Sequence, residues 1–189
     1  MPTLVFYSIL FHIEGSSNLT DKGKWTVVGL VFVTTFVIPA LTVVMFKLTK
    51  VIGDLHMKNR KDRLMPFMFI SIFYLIVSFM IDGQGWMTPL LSVSFLAITA
   101  VVLLTNGITF FWKISAHAAG IFGWLGFLVA LQGAFPSTND LLMPLIICLA
   151  LCGVVPWSRL FLNAHHPKEI LEGAILGFVV CFGAIYLFI

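Results

Sequence analysis

Uncharged, mostly apolar stretches recur along the chain at 25–46, 64–81, 83–112, 114–139, 141–158 and 173–189, with short polar segments between them. Roughly 20 residues of helix cross the hydrocarbon layer of a bilayer, so each stretch supplies about one span. The pattern predicts helices over about 25–46 (kinked at Pro39), 65–81, 88–108, 116–132 and 141–156, with a last helix beginning near Pro167 to Glu169. Gly83-Gln84-Gly85 and Pro89 punctuate the start of the longest stretch, which therefore reads as a turn plus one helix. Residues 1–13 are apolar but short for a span. Without a basic leader or a small-residue cleavage site, they read as a short or re-entrant first helix rather than a removable signal. The expected fold is all-α, a polytopic transmembrane bundle of about six helices forming a single domain over residues 1–189.

Composition makes the membrane reading firm. The 189 residues are 60% hydrophobic and 10% charged, with a mean hydropathy of +1.06, where a soluble domain carries about 25% charged residues. The net charge of +3 gives no sign of a nucleic-acid partner, and none is expected. Cys148 and Cys152 fall on one face of a predicted helix and Cys181 lies in another. None has metal-ligand company, and no disulfide framework is indicated.

The placement of charge is more informative than its sum. Two predicted helices separate the basic segment 58–63 from the junction Phe111-Trp112-Lys113-Ile114-Ser115-Ala116-His117, and two more separate that junction from His165. All three polar clusters therefore come out on one face. Nine of the eleven Lys and Arg residues (Lys47, Lys50, Lys58, Arg60, Lys61, Arg63, Lys113, Arg159 and Lys168) lie there, with Lys22 and Lys24 opposite. Trp112 and Trp157 fall near one interface, Trp25 and Trp86 near the other, as an aromatic belt requires. The positive-inside rule alone accounts for the cations at 47–63. It does not account for His117 and His165 each standing at a helix start on that face, with Lys113 and Arg159 a few residues before them.

Candidate chemistry concentrates in Ser158-Arg159-Leu160-Phe161-Leu162-Asn163-Ala164-His165-His166-Pro167-Lys168-Glu169. Proline suits the first helical position, so a helix starting at Pro167 puts Glu169 about one turn beyond His165. A carboxylate there can hold one imidazole nitrogen protonated and leave the other for chemistry. Arg159 offers a forked donor suited to phosphate. The plain alternative is a polar juxtamembrane linker. His166 reads as a bystander at the helix start. Gly120, Gly123 and Gly126, with Gly173 and Gly177, allow the helices that follow His117 and His165 to approach closely.

At these residues the chain resembles the type-2 phosphatidic acid phosphatase superfamily. Its third motif, S-R, five residues, H, three residues, D, is matched by Ser158-Arg159, His165 and Glu169, with glutamate in place of aspartate. Its second, P-S-G-H, corresponds to Ile114-Ser115-Ala116-His117. Its first, K, six residues, R-P, resembles Arg63 with Pro66, but His56 stands where the lysine belongs. The motif segments are thus about 56–66, 112–117 and 158–169.

The resemblance implies His165 as nucleophile forming a phosphohistidine, Glu169 as its orienting carboxylate, and His117 as general acid. It implies Arg159 and Arg63 as phosphate ligands, joined by Ser115 and the Ala116 amide, while Arg60 and Lys113 could replace the missing lysine. Arginine and lysine would supply the charge compensation that phosphoryl transfer needs. No further carboxylate cluster suits a divalent metal, so metal-independent turnover without a cofactor is expected. The implied substrate is a lipid phosphate or diphosphate (undecaprenyl diphosphate, phosphatidate, phosphatidylglycerol phosphate or lipid A), reached from surrounding membrane lipids; the oligomeric state is left open. A non-catalytic lipid-phosphate binder or transporter on the same scaffold is the alternative. The resemblance also points to a bacterial cytoplasmic (inner) membrane. Counting cations puts the motif face inside, but setting aside Arg60, Arg63, Lys113 and Arg159 leaves five against two. Bacterial members of the family mostly work outside, so the expectation leans to the extracytoplasmic face.

Overall fold

The computed structural model describes residues 1–13, 15–51, 60–135 and 141–189, with side chains described for all of these except 60–63. The elements are α1 (Pro2–His12), α2 (Asp21–Phe32), a π-helical turn (Val33–Val37), α3 (Ile38–Leu48), α4 (Arg60–Ile81), α5 (Pro89–Thr109), α6 (Ala116–Ala134), α7 (Leu142–Phe161) and α8 (Pro167–Phe188). No strand occurs among the described residues. Among the described residues, six helical stretches are long and apolar enough to span a bilayer: Asp21–Leu48, Leu64–Ile81, Pro89–Thr109, Ala116–Ala134, Leu142–Phe161 and Pro167–Phe188. The chain is a multi-pass membrane protein with the expected all-helical bundle.

Helix starts follow local chemistry. Thr20 caps α2 by accepting from the Gly23 amide at 3.3 Å, and Ser115 caps α6 by accepting from the Ala118 amide at 3.3 Å. Pro89 and Pro167 occupy first positions, where their missing N–H leaves nothing unpaired. The 1–13 stretch is a short helix, about 16 Å long at 1.5 Å per residue. It is packed into the bundle, with Phe6 and Ile9 fully buried. Its Ser8 hydroxyl accepts from the Trp124 indole of α6 at 3.2 Å, and Phe6 meets Phe95 of α5 edge-on with 6.0 Å between ring centroids.

The first span departs from the expected kink at Pro39. The irregularity lies one turn earlier, as a π-turn over Val33–Val37. Proline cannot donate to the carbonyl four residues back, which belongs to Thr35. The Tyr74 hydroxyl of α4 donates to that carbonyl at 3.0 Å. The polar group released by Pro39 is thus satisfied by a neighbouring helix, as a bilayer interior demands.

The tightest helix pair is α6 with α8, and it runs parallel. A Cβ on Gly173 would lie 2.5 Å from the Ser115 carbonyl, and one on Gly126 would lie 2.7 Å from the Phe178 carbonyl. One on Gly177 would overlap the carbonyl of Ala119, and one on Gly123 would meet the Cys181 sulfur at 3.1 Å. The pairs 115/173, 119/177 and 123/181 advance together in steps of four residues, so both helices descend from the same face in fixed register. The helix that carries Arg159 is more peripheral: α7 buries only Pro144 and Cys148, and the Cys148 thiol donates to the Ile121 carbonyl at 3.8 Å.

Gly177→Ala is expected to lower the thermal midpoint of the detergent-solubilised protein, at a cost of about 1–3 kcal/mol for forced overpacking. Gly29 on α2 has open space where its Cβ would go, so Gly29→Ala is expected to be neutral or slightly stabilising. Equal midpoints for the two variants would mean that close α6–α8 contact does not hold the bundle.

Candidate active site

Helix α7 extends to Phe161, past the expected end near residue 156, so Ser158 and Arg159 stand in its last turn rather than in a loop. Of the five residues between Arg159 and His165, Leu160 and Phe161 finish α7 and Leu162, Asn163 and Ala164 make the turn towards α8. Leu162 ends the helix and Asn163 takes a left-handed conformation, φ 48°. The Asn163 amide donates to the Leu160 carbonyl at 2.9 Å and the Ala164 amide to the Arg159 carbonyl at 3.0 Å. This double bond pattern ends a helix tightly. It delivers the chain to His165 with His166 as the residue preceding α8. Spacing in the third motif is therefore the length of one helix ending plus one helix start.

His165 is buried, its side chain 4% exposed, and its Nδ1 lies 2.6 Å from Glu169 Oε2, whose side chain is 16% exposed. The same carboxylate oxygen accepts from the His166 backbone amide at 3.3 Å. Glu169 is the third residue of α8, from which a glutamate side chain reaches back to the amide ahead of the helix. It therefore completes the helix start and holds the imidazole at once. With Nδ1–H donated to the carboxylate, Nε2 is the ring nitrogen that carries a lone pair. His166 is exposed.

The second motif segment is tied onto this turn. The Ser115 amide donates to the Glu169 carbonyl at 3.1 Å, Lys113 Nζ donates to the Ala164 carbonyl at 2.6 Å, and the Trp112 indole donates to Glu169's neighbour one turn on, Glu172 Oε2, at 2.9 Å. His117, the second residue of α6, is exposed. Ser115 is fully buried and its hydroxyl accepts from the Ala118 amide, so it works as a helix cap. Arg159 is half-buried, with Nε donating to the Ser158 hydroxyl at 3.3 Å.

Arg60 and Arg63 lie in the first turn of α4; their side chains are outside the description, and His56 and Lys58 lie outside the described residues altogether. No group of three His, Cys, Asp or Glu side chains is gathered as a metal site among the described residues. The part played by Trp112, Glu172 and the Ala164 carbonyl has no signal in the sequence. Partners 51 and 60 residues apart have no local pattern that could announce them.

A buried imidazole oriented by a carboxylate, one residue from a carbonyl that a lysine holds, is suited to nucleophilic attack on an anionic centre. No curated protein and no solved structure matches the chain. A family model does: over residues 105–189, which hold α6, α7, α8 and both histidine motifs, the chain matches the PAP2 superfamily, the superfamily those motifs resemble, and that match supports a phosphatase-type hydrolase acting on phosphate esters.

Proposed function

We propose that the whole chain, residues 1–189, acts as one membrane phosphatase domain that hydrolyses a lipid phosphate or diphosphate through a phosphohistidine. The observation that carries this reading is the 2.6 Å contact between Nδ1 of the buried His165 and Glu169 Oε2. His165 Nε2 attacks phosphorus in line with the ester oxygen. His117 gives its proton to that oxygen as the P–O bond breaks, and the lipid alcohol (or the lipid monophosphate, from a diphosphate) leaves. Water then attacks the phosphohistidine, giving a proton to His117. The P–N bond breaks, inorganic phosphate leaves, and the imidazole is restored. Arg159, Arg63, Arg60, Lys113 and the Ala116 amide hold the equatorial oxygens, whose charge grows in the transition state, while the buried Ser115 sets the start of α6 instead of meeting the substrate.

Exposed Phe111, Trp112, Trp157 and Phe161 surround the motif segments and favour a site at interface depth. A lipid head group can enter there while its tail stays in the bilayer. Undecaprenyl diphosphate, phosphatidate, phosphatidylglycerol phosphate and lipid A all meet that description. The proposed setting is a bacterial cytoplasmic membrane with the site on its outer face.

His165→Ala is expected to lower phosphate release by about a thousandfold or more. Glu169→Gln should lower it by roughly 10- to 1000-fold, since the amide keeps the helix-start bond but loses the charge that stabilises imidazolium. Unchanged release by His165→Ala, measured on vesicles carrying the four lipid classes, would remove the nucleophile. Absence of release from the wild-type protein, with the lipids still bound, would favour a binder.

Turnover is expected to persist in excess EDTA, because fixed arginine and lysine charges do the work a metal would otherwise do. Loss of release that Mg²⁺ restores would overturn this.

Sidedness is checked by single cysteines replacing the exposed Lys22 and Lys50, in a background lacking Cys148, Cys152 and Cys181. An impermeant thiol reagent applied to intact cells is expected to label position 50 and spare position 22. The opposite pattern would put the site in the cytoplasm.

A further inference from the structure

Three hydrogen bonds join the 112–115 segment to the α7–α8 turn and the first turns of α8: Lys113 to the Ala164 carbonyl, the Ser115 amide to the Glu169 carbonyl, and Trp112 to Glu172. The first two end on backbone next to, or within, the third motif. The third differs in kind, because both partners are side chains, one an interfacial indole and the other a carboxylate outside every motif. Glu172 lies one turn beyond Glu169, on the same side of α8. Its Oε2 accepts from the Trp112 indole at 2.9 Å, while its Oε1 stands 3.9 Å from Lys168 Nζ, a side chain 87% exposed. So open an ion pair contributes little, and the indole bond is the directed one.

The segment it holds is the entry to α6, where His117 sits five residues after Trp112. An exposed indole lies at the level of the lipid head groups, where its ring is free to follow the membrane. Tying its N–H to α8 removes that freedom.

We propose that Trp112 and Glu172 are positioning residues: their bond fixes the start of α6 against the start of α8 and so sets His117 at the distance from His165 that turnover needs. This rests on the phosphatase reading, so the test pairs turnover with a readout that needs no chemistry. Amide hydrogen exchange is followed across residues 110–117 in the full chain in nanodiscs, beside phosphate release from a lipid phosphate, for Trp112→Phe, Glu172→Ala, their double variant, Glu172→Gln and Lys168→Ala.

Trp112→Phe keeps an interfacial ring but lacks the N–H, and Glu172→Gln keeps an acceptor. Trp112→Phe and Glu172→Ala are each expected to speed exchange in the segment and lower kcat about three- to tenfold, with KM within about twofold. The double variant should do no more than either single one, Glu172→Gln should restore both readouts, and Lys168→Ala should leave both unchanged. Exchange at the wild-type rate in Glu172→Ala would overturn the clasp. Faster exchange with undiminished kcat would overturn its positioning role. A wild-type protein that releases no phosphate would instead overturn the phosphatase reading, and with it the catalytic role of the bond, while exchange alone would still decide whether the bond holds the segment.

Discussion

The backbones of α6 and α8 touch where Gly173 and Gly177 face Ser115 and Ala119, closer than any residue with a Cβ would allow. A lipid bilayer gives two helices no hydrophobic reason to associate, since the tails are as apolar as the side chains. Close packing of small residues is what remains. Here it does more than hold the bundle together. It locks a parallel register in which Ser115 lies beside residues 169–173, so the depth at which α6 begins is set by the depth at which α8 begins. A shift of one turn would move the α6 start by about 5.4 Å and detach the Ser115 amide from the Glu169 carbonyl. The geometry of the histidine motifs is a consequence of glycine packing further down the pair.

That register also decides how charge is arranged. Six spans with polar motifs after every second crossing place the starts of α4, α6 and α8 on one face. A helix start carries a partial positive charge, and in α6 and α8 part of its amide complement is met by Ser115 and Glu169. Lys113 and Lys168 add to this field, and Glu169 sits within it with its carboxylate against the His165 imidazole. Arg159 comes from the opposite kind of terminus: it lies in the last turn of α7, where a cation offsets exposed carbonyls. The last turn of a helix therefore carries the arginine, and the histidine stands just before the next helix start, with Leu162, Asn163 and Ala164 as the turn that joins them.

Much of this was legible in the sequence because the membrane imposes simple rules. Apolar length indicates six spans, and proline marks the starts of α5 and α8, whereas α2 and α4 begin four and five residues before the expected positions. The spacing of His165 and Glu169 gave their contact. What was not legible depends on partners far apart in the chain or on backbone detail. The extension of α7 through Ser158 and Arg159 was missed because Arg159 reads as a boundary charge; whether the helix stops is decided by Asn163, four residues later, whose left-handed conformation is a weak signal. The π-turn precedes Pro39 because Tyr74, 39 residues from Thr35, supplies the bond that makes it tolerable. Ser115 has its cap role for a local reason, but its complete burial follows from Gly173, which no local pattern reveals.

Glutamate at 169, where the resembling family has aspartate, can be understood on the same physical terms. A carboxylate at the third position of a helix reaches the amide before the helix most readily with glutamate's extra methylene. In this chain that amide belongs to His166, and the ring to be oriented belongs to the residue before it. One oxygen reaches both, at 3.3 Å and 2.6 Å. The longer side chain is held by the backbone bond and is therefore less free than its length suggests. The added methylene and the added constraint compensate each other, so the substitution keeps the orienting contact by anchoring it to the helix start instead of shortening the arm.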